Sequence, residues 1–127
     1  MGLEHVHRAG YVYRDLKPEN VLVRANGSIC IADFGLARLL PEGARAFTNC
    51  GTGDYCSPEL LQFHGTTRAA DVWALGVFLF EITAGYPPFK GATQAEQFRA
   101  IIAADLGVRP ARYCPPPPCH LYALRRF

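Results

Sequence analysis

Three oxygen-bearing side chains early in the sequence could gather around a hard cation. Asp15 and Asn20 lie five residues apart in Tyr13-Arg14-Asp15-Leu16-Lys17-Pro18-Glu19-Asn20, and Asp33 follows in Asp33-Phe34-Gly35. Carboxylate and carboxamide oxygens are the ligands Mg²⁺ takes, usually along with substrate phosphates. Lys17, two residues after Asp15, puts positive charge where a phosphoryl group in transfer would build negative charge. Alone, Asp15 or Asp33 reads as a turn or capping carboxylate. Together these residues read as a site for chemistry on a phosphate.

That chemistry needs a scaffold that returns Asp33 to Asp15 and Asn20. Residues 21–23 and 28–32 are β-prone and flank Asn26-Gly27, a strong hairpin turn signal, and a hairpin brings its two ends together. Upstream, 3–9 reads as a helix end stopped by Gly10, followed by a short β-prone stretch at 11–13. Residues 33–57 lack periodicity and read as one long loop, of the kind that usually carries function. Beyond it, 58–63 is predicted to be a short helix with proline in its first turn. Residues 71–84 form a helix apolar on every face, hence a central buried one, with Asp71 as N-cap and Gly85 as stop. A further amphipathic helix covers 93–104, with Phe98, Ile101 and Ile102 on one side. Residues 109–127 contain Pro115 to Pro118 and show no period, so they are expected to form an unstructured tail.

Composition narrows the function classes. The chain has 127 residues, half of them hydrophobic, enough for one small core. Thirteen Lys and Arg against 11 Asp and Glu leave a net charge of +2, which gives no electrostatic case for nucleic acid or an anionic membrane. The apolar run from Val72 to Phe80 is half the length a bilayer span requires. Five scattered cysteines point to reduced thiols and an intracellular setting. Cys114, Cys119 and His120 lack the second pair of ligands a zinc site needs.

The loop around Asp15 resembles the catalytic loop of protein kinases, with Tyr13 where many members have His. Asp33-Phe34-Gly35 resembles their metal-binding motif and Ser57-Pro58-Glu59 their Ala-Pro-Glu motif. Asp71-Val72-Trp73-Ala74-Leu75-Gly76 resembles the start of their central helix. The four occur in register over residues 3 to 105. Tyr13-Arg14-Asp15, Cys50-Gly51-Thr52 and Ala84-Gly85-Tyr86-Pro87-Pro88-Phe89 resemble the cyclic-nucleotide-dependent (AGC-type) branch of basophilic Ser/Thr kinases. Lys17-Pro18-Glu19 is of the Ser/Thr form. Small-molecule phosphotransferases share the Asp-to-Asn spacing but are not expected to have Lys17 or the loop after Asp33.

The resemblance implies a mainly α fold with a small β-hairpin, the large (C-terminal) lobe of a kinase without its N-lobe. It spans 1–107, with 108–127 outside the family pattern. It implies transfer of the γ-phosphate of ATP to Ser or Thr of protein substrates, with Mg²⁺ as cofactor. Asp15 would take or orient the hydroxyl proton, Lys17 would steady the γ-phosphate, and Asn20 and Asp33 would hold Mg²⁺. Thr48 would be a phosphorylation site paired by Arg14 and Arg38. Thr52 would shape the acceptor site. Glu19 and Glu81 would pair with basic residues of the substrate.

Two residues take structural roles under the resemblance. Asp71 would accept backbone hydrogen bonds from the catalytic loop, and Glu59 would pair with an arginine from helices that follow in the family. His5, His7 and His64 read as surface or packing residues. Gly53-Asp54 stands where relatives usually have Pro-Glu, and Ser57 stands where they have Ala. Fourteen residues precede Asp15, too few for a Gly-rich loop, a strand Lys and a helix Glu. The chain alone is therefore expected to have little or no activity and marginal stability. The alternative is a non-catalytic lobe that binds kinase substrates or regulators as a decoy, or a piece of a longer chain.

Overall fold

The computed structural model describes residues 2–47, 53–106 and 125–126. The predicted phosphosite Thr48, the acceptor-loop residue Thr52, Cys50 and most of the Pro-rich C-terminal segment lie outside the described residues.

The chain opens with helix α1 (Gly2–Arg8), closed by Gly10 at a φ of 85°. That left-handed geometry favours glycine, and it turns the chain into strand β1 (Tyr11–Val12). After the loop and a 3₁₀ turn at Pro18–Asn20 come β2 (Val21–Val23) and β3 (Ile29–Ile31). They form the expected antiparallel hairpin, with Val21 opposite Ile31 and Val23 opposite Ile29. Asn26 and Gly27 turn it: Gly27 has a φ of 82°, and the Asn26 side chain accepts from the Ser28 amide.

The described residues of the 33–57 stretch are more ordered than one long loop. Strand β4 (Arg38–Leu39) pairs antiparallel with β1, and Ala46 bridges Thr66. A 3₁₀ turn follows at Gly53–Tyr55. Each pairing is one or two residues long, too short to leave a period in the sequence. The hairpin is thus not the whole of the β structure. The fold is partly helical, with small sheets that pair β1 with β4 and β3 with β2. The last strand, β5 (Arg125–Arg126), runs parallel to β2, so these two residues of the expected tail are paired.

Helix α2 (Pro58–Leu61) starts at proline, as predicted. The long helix α3 runs Arg68–Ala84, three residues earlier than expected. Its N-cap is Thr67, whose hydroxyl accepts from the Ala69 amide, and not Asp71. Asp71 lies inside the first turn, its oxygens engaged elsewhere. Gly85, at a φ of 81°, caps the other end through its N–H to the Glu81 carbonyl. Helix α4 (Gln94–Ile102) is capped by Thr93, which accepts from Glu96 N, while the Glu96 carboxylate accepts from Ala92 N.

The core wraps α3 incompletely. Ala74 and Phe78 pack with Leu3, Tyr13, Leu16 and Val21. Val77 packs with Phe89 and Ile101, beside Trp73, whose ring stacks on Phe89 at 5.4 Å. The remaining side is open: Val72 is 59% exposed and Leu79 49%. The helix is apolar all round, but it is not buried all round. On α4, Ile101 is fully buried while Ile102 is 41% exposed. Ile101→Ala should cost about 2–5 kcal/mol, while Ile102→Ala should cost much less. The midpoint of osmolyte-induced folding, followed by circular dichroism, should rise sharply for the first variant and little for the second.

Candidate active site

The site hangs from a buried carboxylate. Asp71, 1% exposed, accepts the Tyr13 amide at Oδ2 and the Arg14 amide at Oδ1, each at 2.8 Å. His7 Nε2 lies 2.7 Å from Oδ2. A carboxylate is costly to bury unless its charge is met by hydrogen bonds or counter-charges, and three donors meet it here. Sequence reasoning left His7 as a surface or packing residue. It stands 64 residues from Asp71, and no local spacing could have signalled that contact.

These bonds fix the backbone at the start of the loop. Arg14 has a φ of 69°, a left-handed conformation that a branched or long side chain rarely adopts. Its Nε donates to the Leu36 carbonyl at 2.8 Å, tying the loop to the segment after Asp33-Phe34-Gly35. Tyr13 is fully buried, its hydroxyl donates to the Ala32 carbonyl, and its ring meets Phe34 edge-on at 5.3 Å. Burial pushes the Tyr13 hydroxyl up to about 12. A hydrogen bond with Asn20 opposes this, and the charges of Asp15, Asp33 and Asp71 add to it.

Asp15, 9% exposed, sits at the centre of a second cluster. Lys17 Nζ donates to both of its oxygens, at 3.0 and 2.8 Å. Asn20 Nδ2 donates to the Asp15 carbonyl at 2.9 Å and to its Oδ2 at 2.8 Å. The 3₁₀ turn at Pro18–Asn20 makes this reach possible by folding Asn20 back, its amide bonded to the Lys17 carbonyl at 3.0 Å. Because Nδ2 faces Asp15, the Asn20 carboxamide oxygen points the other way. The hairpin then returns the chain: the Ala32 amide donates to the Asn20 carbonyl at 2.9 Å, setting Asp33 beside this cluster. Asp33 is exposed, has a φ of 53°, and accepts the Gly35 amide at Oδ1.

Among the described residues no group of three or more His, Cys, Asp or Glu could hold a metal. The Asn20 oxygen and the Asp33 carboxylate are a small, hard, all-oxygen pair. Such a pair suits Mg²⁺, which keeps several waters and takes one or two carboxylates together with phosphate oxygens.

The remaining candidates lie around this centre. Glu81, on α3, accepts from the Tyr55 hydroxyl. That hydroxyl is raised well above the usual tyrosine range, by burial first and by the Glu81 bond next. The Glu19 and Asp54 charges also act on it, so these side chains share one region. Tyr55 was not singled out from the sequence, and neither was Gln97, whose Nε2 donates to the Asp54 carboxylate. Arg38 is in β4, opposite Val12 and exposed. Glu59 borders a groove of about 720 Å³ with Trp73, Phe80 and Leu106. No helix among the described residues is long and apolar enough to cross a membrane.

Two outcomes follow from this geometry. Asp71→Asn turns one acceptor oxygen into an amide donor, and should speed hydrogen exchange at the Tyr13 and Arg14 amides by tenfold or more, read by NMR or mass spectrometry. The raised Tyr13 ionisation stabilises the fold at pH values below the ordinary tyrosine range. This stabilisation is lost as pH rises from about 10 through about 12. An alkaline titration followed by tyrosinate absorbance should show Tyr13 ionising late, with unfolding accompanying it.

Residues 1–114 match the protein kinase domain family. The chain is 42% identical over 106 residues to "Protein kinase 2" of Dictyostelium discoideum, covering 84% of this chain and 22% of that protein. It is 48% identical over 104 residues to "cAMP-dependent protein kinase, catalytic subunit-like" of Caenorhabditis elegans, covering 82% and 26%. Against human "Ribosomal protein S6 kinase alpha-2" it is 42% identical over 109 residues, covering 85% and 15%. The chain therefore spans about a quarter or less of the length of these relatives. Its motifs, their order and these matches agree: the chain belongs to the protein kinase family, and its relatives are Ser/Thr kinases of the AGC type.

Proposed function

We propose that this chain carries the catalytic centre of a Ser/Thr protein kinase, in a segment of the large lobe spanning 1–107. The observation that carries this reading is the single hydrogen-bonded cluster of Asp15, Lys17 and Asn20, with Asp33 set beside it by the hairpin. Asp15 orients the hydroxyl of a substrate Ser or Thr and takes its proton as the new oxygen–phosphorus bond forms. Lys17, held at Asp15, meets charge on the group in transfer. Asn20 and Asp33 hold Mg²⁺. Bound Mg·ATP supplies the γ-phosphoryl group, and ADP leaves. Little covalent work falls to the protein, so positioning carries most of the catalysis.

The substrate side rests on acidic groups. Glu19 is exposed and Glu81 is half-buried beside Tyr55, and both suit arginine or lysine near the acceptor residue of a protein substrate. Thr48 is a phosphorylation site in this reading, with Arg14 and Arg38 as phosphate partners. Thr52 shapes the acceptor pocket, and Glu59 anchors a following segment through an arginine. Cys30 is a free thiol, which fits a reducing, intracellular setting.

A chimaera tests the reading. This chain is joined behind the N-terminal lobe of a related Ser/Thr kinase and assayed with Mg·ATP and an arginine-containing serine peptide. The chimaera should transfer phosphate, and Asp15→Asn should lower kcat by about 10²–10⁴-fold. Transfer that survives Asp15→Asn overturns the assignment. Peptide binding by the unfused chain, lost on Glu19→Gln with Glu81→Gln, and a chimaera that folds but transfers nothing, would support the decoy instead.

A further inference from the structure

The turn between β2 and β3 holds a pair of residues with a reactivity of their own. Asn26 and Gly27 are both exposed. A carboxamide side chain one residue ahead of a glycine can react with its own main chain, because the glycine nitrogen lies close enough to the side-chain carbon to close a cyclic imide. Glycine leaves that nitrogen unshielded: nothing lies within 4 Å of the point a Cβ on Gly27 would occupy.

The fold adds something the pair alone does not have. Asn26 Oδ1 accepts from the Ser28 amide at 3.0 Å and from the Ser28 hydroxyl at 2.8 Å. When the Gly27 nitrogen adds to Asn26 Cγ, negative charge collects on that oxygen, and donors already aimed at it stabilise the charge. The reacting form of Gly27 is the deprotonated amide. Its N–H is lent to the Arg24 carbonyl at 2.8 Å, so the step is slow and speeds up as pH rises.

We infer that Asn26 is a self-modification site, deamidated by the Gly27 nitrogen with Ser28 as the group that stabilises the developing charge. The bond from Gly27 N to Asn26 Cγ forms and the bond from Cγ to Nδ2 breaks. The proton shed by Gly27 is balanced by the one that the departing ammonia gains. Water then opens the imide at either carbonyl, leaving aspartate or isoaspartate at position 26, and no electrons change hands. Both products replace a neutral carboxamide with a carboxylate. Isoaspartate also lengthens the main chain in the turn that returns Ala32 to Asn20. None of this requires the chain to transfer phosphate.

Ageing the protein tests this. The 127-residue chain, kept folded by a stabilising osmolyte, is incubated at mildly alkaline pH and digested. Mass spectrometry with fragmentation that separates aspartate from isoaspartate then follows each asparagine. Conversion should appear at Asn26, while Asn20, 6% exposed and followed by Val21, stays intact. Ser28→Ala should slow the conversion about threefold in the folded chain, the worth of one exposed hydrogen bond. Ser28→Thr, which keeps the hydroxyl, should retain the original rate. In urea the three chains should react alike, because Ser28 is no longer held against Oδ1. No conversion at Asn26 overturns the inference. So does a folded-chain rate that Ser28→Ala leaves unchanged, or a slowing by Ser28→Ala that is equally large in urea.

Discussion

Everything placed around Asp15 depends on the meeting of one carboxylate with two backbone amides. Asp71 projects from the first turn of α3 and takes the Tyr13 and Arg14 amides, with His7 completing its shell. A buried charge of this kind has few stable arrangements, because each missing donor leaves it underpaired in a poorly polarisable surrounding. The arrangement therefore acts as a locator. It sets the direction in which the chain leaves β1, makes the left-handed turn at Arg14 tolerable, and so decides where Asp15 lands. Lys17 and Asn20 then arrange themselves around Asp15 by local turn geometry, and the hairpin delivers Asp33.

The parts that were legible in the sequence are those with local causes. Asn26-Gly27 specified its turn, and Gly10 and Gly85 their helix stops. Asp15, Asn20 and Asp33 could be grouped because a hairpin lies between them. What was missed has non-local causes. The pairing of β1 with β4 joins two-residue strands far apart in the chain, and nothing periodic marks them. Asp71 looked like an N-cap because aspartate favours that position. Thr67 takes it, and the Asp71 oxygens meet the Tyr13 and Arg14 amides, a contact that the family resemblance implied and no local spacing could. Tyr55 and Gln97 were passed over because their partners, Glu81 and Asp54, come from other segments.

The apolar character of α3 carries a separate lesson. Composition alone makes it a helix for burial on every side. Ala74, Val77 and Phe78 are buried, while Val72 and Leu79 face outward. Hydrophobicity reports what a helix is suited to touch. Which of its faces are covered depends on the other segments present. The groove by Trp73 and Glu59 also includes Val72, so exposed apolar surface runs along the same helix that holds the site in place.

The separation between Asp71 and the loop it serves also orders events in folding. The hairpin from Val21 to Ile31 closes a short span, and such closures take microseconds. The bond from Asp71 to the Arg14 amide closes a span of 57 residues and must follow the docking of α3, since the entropy of that long closure is met only by the contacts that docking brings. The strand pair that carries Asp33 can thus exist before the backbone around Asp15 has its shape. Transient release of the first turn of α3 would undo the loop while leaving the hairpin formed, so the arrangement around Asp15 has a lifetime set by that helix end and not by the strands beside it.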